Sequence, residues 1–340
     1  MDYKASGVDI EAGNETVRRI KALAHSTFTS GVLSEIGSFG GLFQLDPTVW
    51  ERPILVSSAD GVGTKLKVAF ATGVHDTVGI DLVAMCVNDI VTTGARPLFF
   101  LDYFASGKLD VDVGEAVVRG IAEGCRRAEC ALLGGETAEL PGMYHDGEYD
   151  LAGFAVGVVE RSRILDGTQA KAGDALVAMA SSGLHSNGYS LARRVIERMG
   201  LGYDDELAGK RLRELLLEPT RIYVRAVRAL LDACGDAVHG LAHITGGGLT
   251  DNVPRVLSDD LAAAIDLSSY ARPPLFEALA QGGSIDEDEM RRTFNLGVGM
   301  VAVIDESAVE RAVAVLSGAG ETVWRLGRVT ARTGEPVSYR

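Results

Sequence analysis

Cysteine is scarce: four in 340 residues, Cys86, Cys125, Cys130 and Cys234, with no Cys-x-x-Cys pair among them. Each sits in an apolar or helical stretch, so they read as buried free thiols, and no His/Cys spacing suited to zinc or iron is present. Long apolar runs are missing too. Nothing approaches the roughly 20 apolar residues a membrane helix needs, and Met1-Asp2-Tyr3-Lys4 lacks the basic-then-apolar order of a signal peptide, so a cytoplasmic protein without a membrane partner is expected. Positive charge is in deficit, with 33 Lys and Arg against 47 Asp and Glu, a net charge of −14 and a pI near 4.9. That balance repels nucleic-acid backbones and anionic membranes; an anionic ligand must be met by local cations and backbone dipoles. Familiar fingerprints are absent as well. A Walker A loop fails because Thr64 separates Gly63 from Lys65, the dinucleotide pattern fails because its third glycine would fall on Leu66, and no Gly-x-Ser-x-Gly elbow occurs.

Glycine, by contrast, is abundant, at 41 residues, about 12% against a usual ~7%. The glycines cluster as Gly61/Gly63, Gly134/Gly135, Gly246-Gly247-Gly248 and Gly297/Gly299, each in or after an apolar run. Such clusters suit backbone loops that approach a ligand, or tight turns in an α/β protein. With 46% hydrophobic residues, the length supports two domains.

The stretch from Ser57 to Lys67 follows the apolar run Ile54-Leu55-Val56 and gathers Asp60, Gly61, Gly63, Thr64 and Lys65. A metal-bound polyphosphate requires this inventory: glycine N–H groups near phosphate oxygens, an ammonium, and a carboxylate for Mg²⁺. Alone, the segment is equally a strand-to-helix turn. A helix is expected over Asp76 to Thr93, carrying Asp81, Asn88 and Asp89 among residues that are otherwise almost all apolar. Asp81 and Asn88 fall within about 20° of each other around it and Asp89 about 80° from Asp81. These residues read either as an exposed polar stripe or as paired or metal-bound groups.

Strands are expected over Pro53 to Ser58, Leu98 to Ala105, Cys130 to Leu133 and Asp150 to Val159, with a helix over Val113 to Arg127 and a second glycine turn at Gly134-Gly135-Glu136. The boundary falls in the polar stretch from Arg161 to Gly173. Beyond it, the expected strands are Ala175 to Ala180, His239 to Thr245, Ala262 to Leu267, Gly297 to Ile304 and Thr322 to Val329. Helices are expected over Leu207 to Leu216, Thr220 to Ala233 and Leu249 to Val256, among others. The fold class is α/β (α+β).

Asp60, Asp89 and Glu136 are hard oxygen donors suited to Mg²⁺ and are expected to share a metal-phosphate site. His185, flanked by Ser182, Ser186 and Asn187 in a strand-end loop, could exchange a proton or donate to developing negative charge.

Five segments recur here in a recognisable order: Asp60-Gly-Val-Gly-Thr-Lys65; Val87-Asn88-Asp89-Ile90-Val91; Gly134-Gly135-Glu136-Thr-Ala-Glu139; His185-Ser186-Asn187-Gly-Tyr-Ser190; and Thr245-Gly246-Gly247-Gly248-Leu249. The chain resembles the phosphoribosylformylglycinamidine cyclo-ligase family, the aminoimidazole ribonucleotide synthetases. The first two segments are shared in outline with selenophosphate synthetases, hydrogenase maturation proteins and thiamine-monophosphate kinases, whereas the Phe99 to Phe104 strand, the run from Gly134 to Tyr144 and the His185 loop narrow the resemblance. Leu140 stands where the family often has Met.

The resemblance implies an amino-terminal ATP-binding and dimerisation domain over 1–166, whose mixed sheet pairs into a barrel-like interface in a homodimer, and a carboxy-terminal α+β domain over 167–340. It implies ATP and formylglycinamidine ribonucleotide as substrates and Mg²⁺ as cofactor, with Asp60, Asp89 and Glu136 on the metal. Lys65 and Lys4 would neutralise phosphate, and Gly61, Gly63, Thr64, Asn88, Gly134 and Gly135 would line the nucleotide. His185 would act in catalysis beside Asp60, Asp89 and Lys65, and Ser186, Asn187, Thr245 and Gly246 to Gly248 would hold the substrate. A kinase acting on a small molecule through the same ATP site, or a nucleotide-binding regulatory subunit without turnover, are the alternatives.

Overall fold

The computed structural model describes residues 7–340, and the chain divides into two compact units, one of residues up to Ile90 with Arg96–Arg161, the other of Val91–Ala95 with Ser162–Arg340. The first unit begins with helix α1 (Ile10–His25), whose N-cap Asp9 accepts from the N–H groups of Glu11 and Ala12, satisfying donors the helix leaves open. Next come β1 (Pro53–Gly61), α2 (Leu66–Thr72), α3 (Val78–Thr92), β2 (Arg96–Ser106), α4 (Val111–Arg127), β3 (Ala131–Glu139) and β4 (Tyr149–Glu160). The strands form an open mixed sheet in the order β1-β4-β2-β3, antiparallel except for the β2/β3 pair.

α3 is a core helix. Every residue from Val78 to Asn88 is buried, so its continuous apolar character reflects packing all round rather than one face. It lies directly on β4: a Cβ at Gly153 would meet the Phe100 ring at 2.5 Å and the Cys86 sulfur at 3.1 Å. Only glycine permits that approach. The opposite face of the sheet is open, with Leu55 66% and Phe154 45% exposed beside half-buried Phe99, Leu101, Tyr103 and Val156.

The strand through Gly134 and Gly135 differs from expectation. No turn forms there; β3 continues to Glu139 against β2, and the departure from regularity is a shift in register opposite Phe100 and Leu101. The ladder of parallel bonds to β2 carries the chain past two glycines that local propensity would place in a turn.

The second unit contains β5 (Ala175–Ala180), α5 (Tyr189–Arg198), β6 (Glu206–Leu207), β7 (Lys210–Arg211), α6 (Leu212–Leu217), α7 (Val224–Cys234), β8 (Val238–His243), α8 (Gly248–Asn252), β9 (Leu261–Ile265), α9 (Pro274–Gly283), α10 (Glu287–Thr293), β10 (Val298–Ile304), α11 (Val309–Gly318), β11 (Val323–Ala331) and β12 (Val337–Tyr339). Its main sheet runs β12-β9-β11-β5-β10-β8. β8 and β10 are buried along their whole length; β10 is accordingly apolar throughout, whereas β8 carries two buried histidines, His239 and His243. The helix expected over Leu207 to Leu216 is instead a two-residue-strand hairpin followed by α6, because Ala208 and Gly209 take positive φ and turn the chain. Pro254 ends α8 early, in a short 3₁₀ turn.

Candidate active site

Asp60 is still within β1, opposite Gly153 of β4, which in turn faces Asp102 of β2. Residues in one row of a sheet share a face, so Asp60 and Asp102 both point to the helix-covered side. There α3 brings Asp89, which is exposed. The Cys86 thiol, one turn before Asp89, is pushed up in pKa by burial and then by the charges of Asp60 and, to a lesser degree, Asp89. Two carboxylates from separate elements therefore act on one buried thiol. Carboxylates so grouped repel one another, and a hard divalent cation with oxygen ligands offsets the repulsion. Their chemistry fits Mg²⁺.

Glu136 does not complete this group within the chain. β3 and β1 are opposite edges of the sheet, separated by three strand spacings or about 14 Å. Glu136 also pairs with Tyr103, one residue out of the Asp102 row, and so projects from the open face. Among the described residues, no group of three or more His, Cys, Asp or Glu side chains could hold a metal ion. The expected three-carboxylate site is thus reduced to Asp60 and Asp89.

Lys65 is the second correction. It ends the 3₁₀ turn Gly63–Lys65, but rather than facing solvent it is fully buried, with Nζ 2.9 Å from Oδ1 and 2.8 Å from Oδ2 of Asp81 on α3. Asn88, on the same side of α3 as Asp81, is fully buried as well, so these two residues do not form a solvated stripe, and of the three only Asp89 is exposed. Gly63 and Thr64 are exposed, Gly61 and Gly134 half-buried, and Gly135 exposed. Lys4 lies outside the described residues.

Asp102 interrupts the otherwise apolar sequence of the middle of β2. Its carboxyl lies over the backbone of Gly135, where a Cβ would come within 2.2 Å of Oδ1. Burial raises its pKa to about 7.

In the second unit, His185 has φ +62 and is almost fully buried. Its Nε2 accepts the N–H of Ser182 at 3.2 Å, and its ring packs 6.3 Å from that of Tyr223. Gly299 closes this packing, since a Cβ there would lie 1.8 Å from the Tyr223 hydroxyl and 2.7 Å from His185 Cε1. With Nε2 engaged as an acceptor, the imidazole shapes the 181–187 loop instead of presenting that nitrogen to a ligand. Asn295 ties down the same loop. It donates to the Gly183 carbonyl at 2.9 Å, and its Oδ1 accepts from the Ser181 hydroxyl at 3.0 Å and the Gly297 N–H at 2.8 Å. Ser186 shares a 3.0 Å hydrogen bond with Thr220.

The glycine loop adjoins this one: an added Cβ on Gly246 would stand 3.5 Å from Asn187 Oδ1. Asn252, buried on α8, donates to the carbonyls of Thr245, Gly246 and Gly248 at 3.3, 3.2 and 2.8 Å. Ser186, Asn187 and Thr245 to Gly248 are thus brought onto neighbouring loops, each braced by a buried asparagine. Neither asparagine stood out in the sequence, because a lone Asn without a partner in view carries no distinctive spacing.

Comparison with known proteins decides the lineage. The family described as AIR synthase related protein matches through its N-terminal domain over residues 46–159 and its C-terminal domain over 171–340. A phosphoribosylformylglycinamidine cyclo-ligase of Sorangium cellulosum (strain So ce56) is 65% identical over 343 residues, covering 100% of this chain and 98% of that protein. The chain belongs to the phosphoribosylformylglycinamidine cyclo-ligase family. Among solved structures, a thiamine-monophosphate kinase from Stenotrophomonas maltophilia K279a superposes with a TM-score of 0.69 at 20% identity, over 96% of this chain and 95% of that one. The hydrogenase maturation protein HypE in complex with ATP gives 0.66 at 21% identity, over 95% and 90%. These two likenesses show a shared fold.

Proposed function

We propose that the chain catalyses ATP-dependent ring closure of formylglycinamidine ribonucleotide to aminoimidazole ribonucleotide, with release of ADP and phosphate, in purine biosynthesis. The full-length identity of 65% to a cyclo-ligase carries this reading. An amide oxygen is a poor leaving group. Transfer of the γ-phosphoryl group to the formyl oxygen makes it a good one, the amidine nitrogen attacks the formyl carbon, and phosphate departs with that oxygen as the ring closes and a proton is lost. Such chemistry depends on positioning and on neutralising charge.

Asp60 and Asp89 would hold Mg²⁺, which supplies charge neutralisation to the transferring phosphoryl group. Thr64 and the N–H groups of Gly61 and Gly63 offer donors to phosphate oxygens, while Ser186, Asn187 and the Thr245–Gly248 loop offer hydroxyl, amide and backbone donors to the ribonucleotide. His185 sets the shape of its loop. The open face of the first unit's sheet, with Leu55 and Phe154 exposed, supports pairing with a second copy in a homodimer, since apolar strand faces are normally covered. The compartment proposed is the cytoplasm, where ATP and Mg²⁺ are at hand.

Incubation of purified protein with the amidine substrate, ATP and Mg²⁺, followed by mass spectrometry, tests the reading. The cyclised product together with ADP supports it. A stable phosphorylated substrate would instead indicate a kinase, and no substrate-dependent ADP a regulatory subunit.

A further inference from the structure

We propose that the buried Lys65–Asp81 ion pair sets the placement of Asp60 relative to Asp89, so that Asp81 is a positioning residue for the Mg²⁺-phosphate site and Lys65 acts through it rather than on the phosphates. This rests on the metal reading above. Both side chains are completely buried, and the ammonium reaches both carboxylate oxygens. Contact with a phosphate would require that pair to break.

The partners sit where they can transmit placement. Lys65 closes the short turn that follows Asp60 and Gly61 at the end of β1, and Asp81 lies in α3 eight residues before Asp89, roughly 12 Å along the helix axis. Between them, Leu82 to Val87 are apolar and buried, and Asn88 is buried as well. A pair of buried charges fixes the helix against the turn, because displacement leaves each charge uncompensated. A buried ion pair adds little net stability, since the cost of desolvating both charges offsets their attraction, and its value lies in specifying one arrangement. Here that arrangement seats α3 on the row of the sheet that holds Asp60: Gly153 pairs with Asp60, and a Cβ on it would stand 3.0 Å from Leu82 and 3.1 Å from the sulfur of Cys86, one turn before Asp89.

Calorimetric binding of a non-hydrolysable ATP analogue to the full chain, with and without Mg²⁺, combined with thermal melting, separates this role from others. The double variant Lys65→Met/Asp81→Leu is expected to melt near the parent temperature, to bind the analogue without Mg²⁺ within about 2-fold of the parent, and to lose about 10-fold or more of the Mg²⁺-dependent affinity. Asp81→Asn, which preserves shape, is expected to show the same selective loss if the double variant does not fold. Parental Mg²⁺ dependence in the folded variants would overturn the proposal, as would an equal loss of Mg²⁺-free affinity in Lys65→Met, which would mean direct contact with phosphate. Asp89→Asn serves as the reference: a loss of Mg²⁺ dependence there, with none in the pair variants, rejects the positioning role alone, whereas parental dependence in Asp89→Asn rejects the metal reading itself.

Discussion

Asp60 and Glu136 stand on opposite edges and opposite faces of the four-stranded sheet, although both follow apolar strands and adjoin glycines in the sequence. Asp60 instead has Asp89 as its companion, the two acting together on Cys86.

From this grouping, Asp89→Asn is expected to lower kcat by about 100-fold or more, the usual scale for losing a group that stabilises transition-state charge. Its melting temperature should remain near the parent's, because Asp89 is exposed. Steady-state kinetics across a Mg²⁺ titration checks this; near-parental turnover would remove Asp89 from the metal site.

Asp102 predicts a pH dependence of stability of unusual sign for a carboxyl. Its pKa is raised from 3.8 to about 7 by burial. Below about pH 4 both folded and unfolded chains hold the proton. Between about 4 and 7 the folded chain keeps a proton that the unfolded chain releases, so this group's contribution falls as pH rises, by about 4 kcal/mol in all, and is flat above. Asp102→Asn, which mimics the protonated shape, should remove this slope and raise stability at pH 8 relative to the parent, as read by urea unfolding at pH 5 and 8. Parallel pH profiles for the two proteins would contradict the assignment.

His185 offers a split between binding and turnover. Because Nε2 accepts the Ser182 N–H and the residue has positive φ, His185→Ala is expected to loosen the 181–187 loop. It should raise KM for the ribonucleotide about 10-fold or more while leaving KM for ATP within about 3-fold. His185→Asn, which tolerates positive φ, should recover part of the loss. A selective loss of one limb of the kcat pH profile, with KM unchanged, would instead assign the imidazole to proton transfer.

The open sheet face makes a prediction about assembly. Phe154 lies in the same row as Ala59 and Leu101, and Phe154→Glu would place a charge in the middle of a covered apolar face. Light scattering after size exclusion should report a dimer for the parent and a monomer for the variant. An unchanged mass would place any dimer contact elsewhere.

Much of the architecture was visible in local patterns. The apolar runs of β5 and β10 were recognisable because burial on both sides removes polar alternation, those of β1, β2 and β4 because the open face of their sheet is largely apolar too, and α3 because it is apolar apart from a few polar residues. Asp81 and Asn88 were legible as a shared helix face, but not whether that face met solvent or core, since the deciding partner, Lys65, approaches from another element. The misplacement of Glu136 has the same origin. Strand order and the pleat direction at Gly135 are set by pairing with β2 rather than by neighbours in sequence, and β12 is short enough that its pairing with β9 is what makes it a strand.

Transfer of the formyl oxygen is the central chemical claim. With substrate labelled by ¹⁸O at the formyl oxygen, incubation with ATP and Mg²⁺ should release inorganic phosphate that carries the label, while ADP remains unlabelled. Unlabelled phosphate accompanying the cyclised product would contradict phosphorylation of that oxygen and with it this account of the ring closure.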